Sequence, residues 1–267
     1  MGTMTSKLIL NSADGVAIEA ATDTAAPGTR RGAVLLVHGI TVDMDEGGGM
    51  FVRLADQLTA AGFDVMRFSF RGHGGSGGSS CGVTIAGECL DLQTAFDAIR
   101  TRFGGPLSVV AASFGAVPTA LSLPWLSHDV HRLVLWNPVL DLRRTFLEPE
   151  LPWGQDNFGR HQLEELAKTG SLAVDGSFDL GRVLFLEFTV HDPFEVFVNS
   201  QVRTLVVHGD QDTAVSYEVA TDAVAKRPGT QLHTVVGSDH GFDSRAREDE
   251  AITVTVDWLT GEHEGHL

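Results

Sequence analysis

Val109-Val110-Ala111-Ala112 runs without a polar break into Ser113-Phe114-Gly115-Ala116. A short unbroken apolar run fits a strand buried on both faces, as in a parallel sheet covered by helices. The residues that follow are compatible with a helix, so Ser113 stands on a tight strand-to-helix turn. That is the layout of a nucleophile elbow, in which backbone strain exposes the serine hydroxyl. Ala111 and Gly115 are both small, as they must be if the strand and helix backbones nearly touch. An ordinary buried strand ending in a turn would share these residues, so the rest of the chain has to decide.

The same alternation recurs along the chain. Strands are expected over residues 7–11 and 16–20, with a turn at Asp14-Gly15 between them, and a polar connection spans 22–31. Residues 33–37 form another continuous apolar run, ended by His38-Gly39. Met50, Phe51, Leu54, Leu58 and Ala61 recur at helical spacing over 50–61. A strand follows over 64–70. A helix over 84–103 carries Ile85, Leu92, Phe96 and Ile99 on one face. Then come a strand over 107–112, a helix over 114–123 and a strand over 132–136.

From 141 to about 201 the pattern is irregular and aromatic. Runs at 171–174 and 177–180 flank Asp175-Gly176, a two-residue hairpin signal. Residues 182–190 are apolar, and Asp192-Pro193 marks a stop. Order resumes with a strand over 204–207, a helix over 217–225, a strand over 231–236 and a helix over 248–259. Repeated strand–helix alternation implies an α/β fold, a mostly parallel central sheet flanked by helices. Residues 1–140 and 201–267 would form its core, and 141–200 a small inserted cap.

Composition removes several classes. A formal charge of −16 argues against binding nucleic acid or an anionic membrane surface. Cys81 and Cys89 lack the spacing of a zinc site or a disulfide framework. No stretch reads as a signal peptide or a membrane span, so a cytoplasmic protein is the default expectation. Met1-Gly2-Thr3-Met4-Thr5-Ser6 matches the loose myristoylation pattern, which is too short to carry weight. Arg71-Gly72-His73-Gly74-Gly75-Ser76-Gly77-Gly78 lacks the lysine of a phosphate-binding loop and reads as a loop at the top of the sheet.

A serine hydroxyl needs a general base within hydrogen-bond reach, and the base needs an acid to fix its tautomer. In this architecture the chain order is Ser, acid, His. Asp212, just past the strand over 204–207, is the candidate acid. Asp210 is the second candidate, though its side chain suits bracing the loop. His240, in a glycine-flanked loop after the next strand, is the candidate base. The oxyanion hole needs two backbone N–H groups. Phe114, directly after the serine, supplies one, and Ile40, in the loop His38-Gly39-Ile40-Thr41, supplies the other. His38 reads as a brace for that loop. Tyr217, the only tyrosine, reads as structural. His263 and His266 read as solvated tail residues rather than metal ligands.

These segments together resemble the α/β-hydrolase superfamily. The matches are His38-Gly39, Phe70-Arg71-Gly72-His73-Gly74, Ala111-Ala112-Ser113-Phe114-Gly115, His208-Gly209-Asp210-Gln211-Asp212 and Asp239-His240-Gly241-Phe242, in the right order over nearly the whole chain. Within the superfamily the chain looks closest to bacterial cinnamoyl and feruloyl esterases and their serine-peptidase-like relatives. The resemblance implies a serine hydrolase that cleaves a carboxylic ester through an acyl-enzyme, with Ser113 as nucleophile, Asp212 as acid, His240 as base, and the Ile40 and Phe114 N–H groups as oxyanion hole. It implies neither cofactor nor metal. The partner would be a small-molecule ester or thioester, and the oligomeric state stays open, a homodimer included. Ala111 stands where the superfamily often has glycine. The acidic loop 43–49 is a second departure, and it bears on the entrance. Trp153 and Phe158, in the loop-like part of the insertion, are candidates for an aromatic wall favouring aryl or hydrophobic acyl groups. The alternative is that Phe185, Phe188 and Trp153 merely glue the cap to the core. An acyltransferase or thioesterase on the same triad, and a non-catalytic ligand-binding relative, are the alternatives.

Overall fold

The computed structural model describes residues 5–261. His263, His266 and the residues Met1 to Met4 of the myristoylation-like pattern lie outside them.

The chain opens with β1 (Ser6–Asn11), β2 (Ala17–Asp23) and β3 (Gly32–Val37), followed by α1 (Met50–Ala60), β4 (Phe63–Phe68) and α2 (Ile85–Phe103). Next come β5 (Leu107–Ala112), a short 3₁₀ turn (Ser113–Gly115), α3 (Ala116–Leu126) and β6 (Val130–Trp136). Thr84, expected as the first residue of α2, is its N-cap, its hydroxyl accepting from Gly87 N–H at 2.9 Å.

The segment between β6 and β9 (Thr204–Gly209), the expected insertion, contains α4 (Pro152–Phe158), α5 (Arg160–Thr169), the hairpin β7 (Ser171–Val174) and β8 (Phe178–Gly181), α6 (Arg182–Glu187) and α7 (Pro193–Val198). It is therefore more ordered than its sequence suggests. Trp153 and Phe158 lie on a helix, not in a loop. Pro152 at the first helical position favours that start, but seven residues are too few for a periodic signal. Asp192-Pro193 starts α7 as well as ending the segment before it, with the Asp192 side chain accepting from Glu195 N–H at 3.0 Å.

The hairpin also differs by one residue from its expected register. Asp175 and Gly176 take positive φ, as the turn signal requires, but Val174 pairs with Phe178 rather than Ser177. Direct partners share a face, so this register buries Phe178 and Leu180 beside Val174. The alternative would have turned Ser177 and Asp179 inward, and hydrophobic pattern overrides loop length.

The chain ends with β9 (Thr204–Gly209), α8 (Tyr217–Lys226), β10 (Thr230–Val235) and α9 (Arg245–Thr260). The main sheet has the order β1-β2-β4-β3-β5-β6-β9-β10. β1 and β2 pair antiparallel, as do β2 and β4, and the remaining pairs are parallel. Along β5, Val109 and Ala111 pack with α2 and α3, while Val110 and Ala112 pack with α1 and α9. Both faces are covered, which is why the run has no polar break. From β3 the chain winds to β4 on one side, then crosses to β5 on the other. This reversal opens a crevice at the C-terminal ends of β3 and β5, the place where open α/β sheets hold ligands.

Candidate active site

Ser113 occupies that crevice. Ala112 is still extended, and Ser113 then takes φ 50°, in the left-handed region that costs a side-chain-bearing residue strain. Gly115 has an ordinary negative φ, so its need for glycine is steric. A Cβ there would meet His38 O at 2.4 Å and Val37 O at 2.7 Å. The close approach that keeps position 115 a glycine is thus between the elbow and the end of β3, rather than between β5 and α3. Gly39 completes the contact, since a Cβ on it would lie 3.1 Å from Ser113 Cβ. His38 is buried beneath. Its Nε2 accepts from Phe70 N–H at 2.9 Å, which leaves Nδ1–H to donate to Gly39 O at 2.7 Å. Burial lowers its pKa to about 3, with the nearby His73 adding to the effect, so the ring is a neutral brace.

His240 Nε2 lies 3.0 Å from Ser113 Oγ, and His240 Nδ1 lies 2.8 Å from Asp212 Oδ2. Residues far apart in sequence therefore form one hydrogen-bonded relay. Asp212 Oδ1 accepts from the backbone N–H groups of Ala214 at 2.8 Å and Val215 at 2.7 Å. Burial pushes the Asp212 pKa up, but the His240 charge and the hydrogen bonds from His208 and His240 outweigh it and hold the carboxylate well below its usual range. Burial pulls His240 down, but Asp212, with Glu46 and Asp239 beyond it, raises it above an ordinary histidine. Asp210 instead accepts from Gly237 N–H at 2.5 Å and braces the neighbouring loop.

Asp239 joins the loops that carry Asp212 and His240. Its Oδ1 accepts from Thr213 N–H at 2.8 Å and from His240 N–H at 2.7 Å. Nothing in the sequence separates this aspartate from a turn residue, because its partner lies in another loop.

Two cavities meet at Ser113. One, of about 190 Å³, lies under the insertion and is walled by Ile40, Val42, Val139, Phe146, Trp153 and Val215. The other, of about 140 Å³, runs toward Met50, Trp136, Asn137, Phe242 and Glu248. Ser113, His240 and Glu46 border both. Neither lining contains a lysine or arginine, whereas Glu46, Asp175 and Glu248 contribute carboxyl groups. All six described non-glycine residues with positive φ (Thr41, Glu46, Ser113, Asn137, Asp175 and Phe242) line one cavity or the other. Each such conformation costs about 1–3 kcal/mol, so strain is concentrated at this site.

Ile40 thus lies in the cavity wall beside the serine, and Phe114 follows it on the elbow. Trp153 lines the upper cavity, its indole N–H donating to Asp175 Oδ1 at 2.8 Å. Phe158 does not: its ring is 1 % exposed, packed among Phe146, Trp153 and Phe185. Phe146 takes the place in the wall expected for it. Phe188 is buried against Phe146 and Phe114, between insertion and elbow. Glu46, in the acidic loop, accepts from Gly39 N–H at 2.9 Å through Oε2. Enclosure pushes its carboxyl pKa up, against the amides of Gly39 and Gly47 and the charge of His240.

Among the described residues, no cluster of three or more His, Cys, Asp or Glu side chains is placed to hold a metal ion, and no helix is long and apolar enough to cross a membrane. Cys81 and Cys89 are both free thiols.

Comparison with known proteins agrees with this architecture. Est1E from Butyrivibrio proteoclasticus, in a structure with ferulic acid bound, superimposes with a TM-score of 0.80 at 18 % identity, covering 95 % of this chain and 98 % of that one. The esterase Pf2001 from Pyrococcus furiosus gives 0.72 at 18 % identity, over 97 % of this chain and 91 % of that one. Mouse α/β hydrolase domain-containing protein 10 gives 0.76 at 17 % identity, over 96 % and 99 %. At these identities the likeness is one of fold. No curated protein matches the sequence. The family model for serine aminopeptidases of the S33 type matches residues 28–171, which hold the β3 loop, the elbow and the start of the insertion. The chain belongs to this serine aminopeptidase S33 family of α/β hydrolases.

Proposed function

We propose that this protein is a serine hydrolase that cleaves an uncharged carboxylic ester bearing an aryl or hydrophobic group, by way of an acyl-enzyme. The supporting observation is the unbroken relay from Ser113 Oγ through His240 to a buried, ionised Asp212. His240 Nε2 takes the Ser113 proton as Oγ attacks the ester carbonyl. The oxyanion accepts from the Ile40 and Phe114 N–H groups. Collapse breaks the bond to the leaving alcohol, which receives its proton from His240. Water, deprotonated by His240, then releases the carboxylic acid and restores the serine. The imidazolium formed in each half-reaction is stabilised by Asp212, which stays ionised.

The apolar upper cavity and its two aromatic walls, Phe146 and Trp153, favour an aryl or hydrophobic group. Ferulic acid, the ligand of Est1E, is a compound of that kind. The carboxyl groups and the lack of cationic lining residues disfavour anionic substrates, phosphate-bearing carrier thioesters among them. The test is intact mass after exposure to a fluorophosphonate, with wild type beside Ser113→Ala, followed by a panel of neutral and anionic esters and thioesters. One adduct on wild type, none on the variant, and turnover confined to neutral esters are expected. A folded wild type that takes no adduct would sink the proposal.

A further inference from the structure

We propose that His208 is a positioning residue for this site: its Nε2–H holds Asp212 Oδ2 in place as the acceptor for His240 Nδ1. The inference rests on the serine-hydrolase reading above.

His208 is the penultimate residue of β9 and is fully buried. Its Nε2 lies 3.1 Å from Asp212 Oδ2 and 3.2 Å from Val215 O. A carbonyl oxygen only accepts, so the proton shared between these two oxygens sits on Nε2. Nδ1 is buried and has no hydrogen-bond partner. A bare lone pair there is tolerable, whereas a second N–H would be an unsatisfied buried donor. The ring is therefore the neutral Nε2–H tautomer. Tyr217 meets it edge-on, with ring centroids 5.6 Å apart, and the Tyr217 hydroxyl is tied to Thr234 Oγ at 2.5 Å, which fixes the ring from the side.

The Asp212 carboxylate offers about four acceptor positions. Ala214 N–H, Val215 N–H, His208 Nε2–H and His240 Nδ1–H fill them, two on each oxygen. Removing His208 leaves one of these positions bare on a carboxylate whose side chain is fully buried. Oδ2 then presents more of its charge to His240, and its direction is no longer set from both sides. The other carboxyl groups that face His240, those of Glu46 and Asp239, are unaffected.

The test compares wild type with His208→Leu, His208→Gln and His208→Asn on one ester, over a pH series. His208→Leu is expected to lose on the order of tenfold in kcat, the scale of a hydrogen bond to a charged group, with KM unchanged. The acid limb of kcat/KM should move to higher pH, because a less neutralised Asp212 favours the imidazolium. His208→Gln, whose amide nitrogen reaches the position of Nε2, should recover most of both losses. His208→Asn, one bond shorter, should not. If the leucine variant does not fold, the contrast between Gln and Asn carries the test. A leucine variant with wild-type kcat and acid limb, or Gln and Asn variants alike, would overturn the role. Fluorophosphonate labelling separates the two ideas: a labelled wild type with an insensitive His208 sinks this inference alone, and an unlabelled wild type sinks both.

Discussion

Phe114 meets Phe146 edge-on, with ring centroids 5.7 Å apart, so the residue that follows Ser113 is packed against the segment between β6 and β9. Phe146 in turn stacks on Phe188 at 4.4 Å and abuts Phe158 at 5.1 Å. The aromatic cluster therefore connects the geometry of the elbow to the roof of the cavity.

Phe146→Ala should destabilise the fold by about 3–5 kcal/mol, the usual cost of removing a buried phenylalanine. It should also enlarge the upper cavity and shift activity toward bulkier acyl groups. Urea unfolding and an ester series of graded size measure the two effects. An unchanged size preference would mean that Phe146 is not a wall of the substrate site.

Asp212→Asn should lower kcat by roughly 10⁴-fold, because an amide facing His240 Nδ1 favours the wrong tautomer. Asp210→Asn should change kcat little, since the asparagine carbonyl still accepts from Gly237 N–H. Steady-state kinetics of the two variants decide the assignment. A larger loss for Asp210→Asn would transfer the acid role to it.

In the proposed mechanism His240 acts as a base only when unprotonated, and although burial pulls its pKa down, the neighbouring carboxylates, Asp212 foremost, raise it. Activity should therefore fall on the acid side from a pH above that of an ordinary histidine. Glu46→Gln removes one of these charges yet keeps an oxygen to accept from Gly39 N–H. The acid limb of kcat/KM should move to lower pH with kcat at the plateau largely kept. A limb that stays in place would show that Glu46 is not charged in the working range.

Glu88 is fully buried beside Asp91 and Glu187, and its Oε2 has no hydrogen-bond partner. Burial, reinforced by these carboxylates and only partly offset by Arg71, raises its pKa well above the usual range. A carboxyl whose folded pKa lies above the unfolded value stabilises fully below the unfolded pKa, and that contribution is lost as pH rises through the folded one. Glu88→Gln mimics the neutral form, so it should raise Tm relative to wild type at pH 8 and narrow that gap near pH 4. Thermal unfolding at both values measures this, and an equal gap at both would contradict it.

Much of the fold and the order of the relay were legible in the chain. Continuous apolar runs mark strands covered on both faces, helical spacing marks α1 and α2, and Ser113, Asp212 and His240 each follow a strand in sequence order. These signals are local: each needs only a few neighbouring residues and the periodicity of one element. Within residues 141–200 the hairpin signal at Asp175-Gly176 was legible, but the helices were not, because each is shorter than the window over which periodicity shows, nor was the hairpin register, which is set by what Phe178 and Leu180 can bury. The structural roles of Glu46 and Asp239 depend on loop contacts that no spacing announces, and His208, only four residues before Asp212 at the end of β9, shows its role only once its ring is seen to face the carboxylate. The residue types present and the elements they form came from the sequence itself. Which carboxylate faces His240, which aromatic ring walls the cavity and why Gly115 must be glycine were decided only in three dimensions, because each depends on a contact between segments that meet only when the sheet closes its crevice.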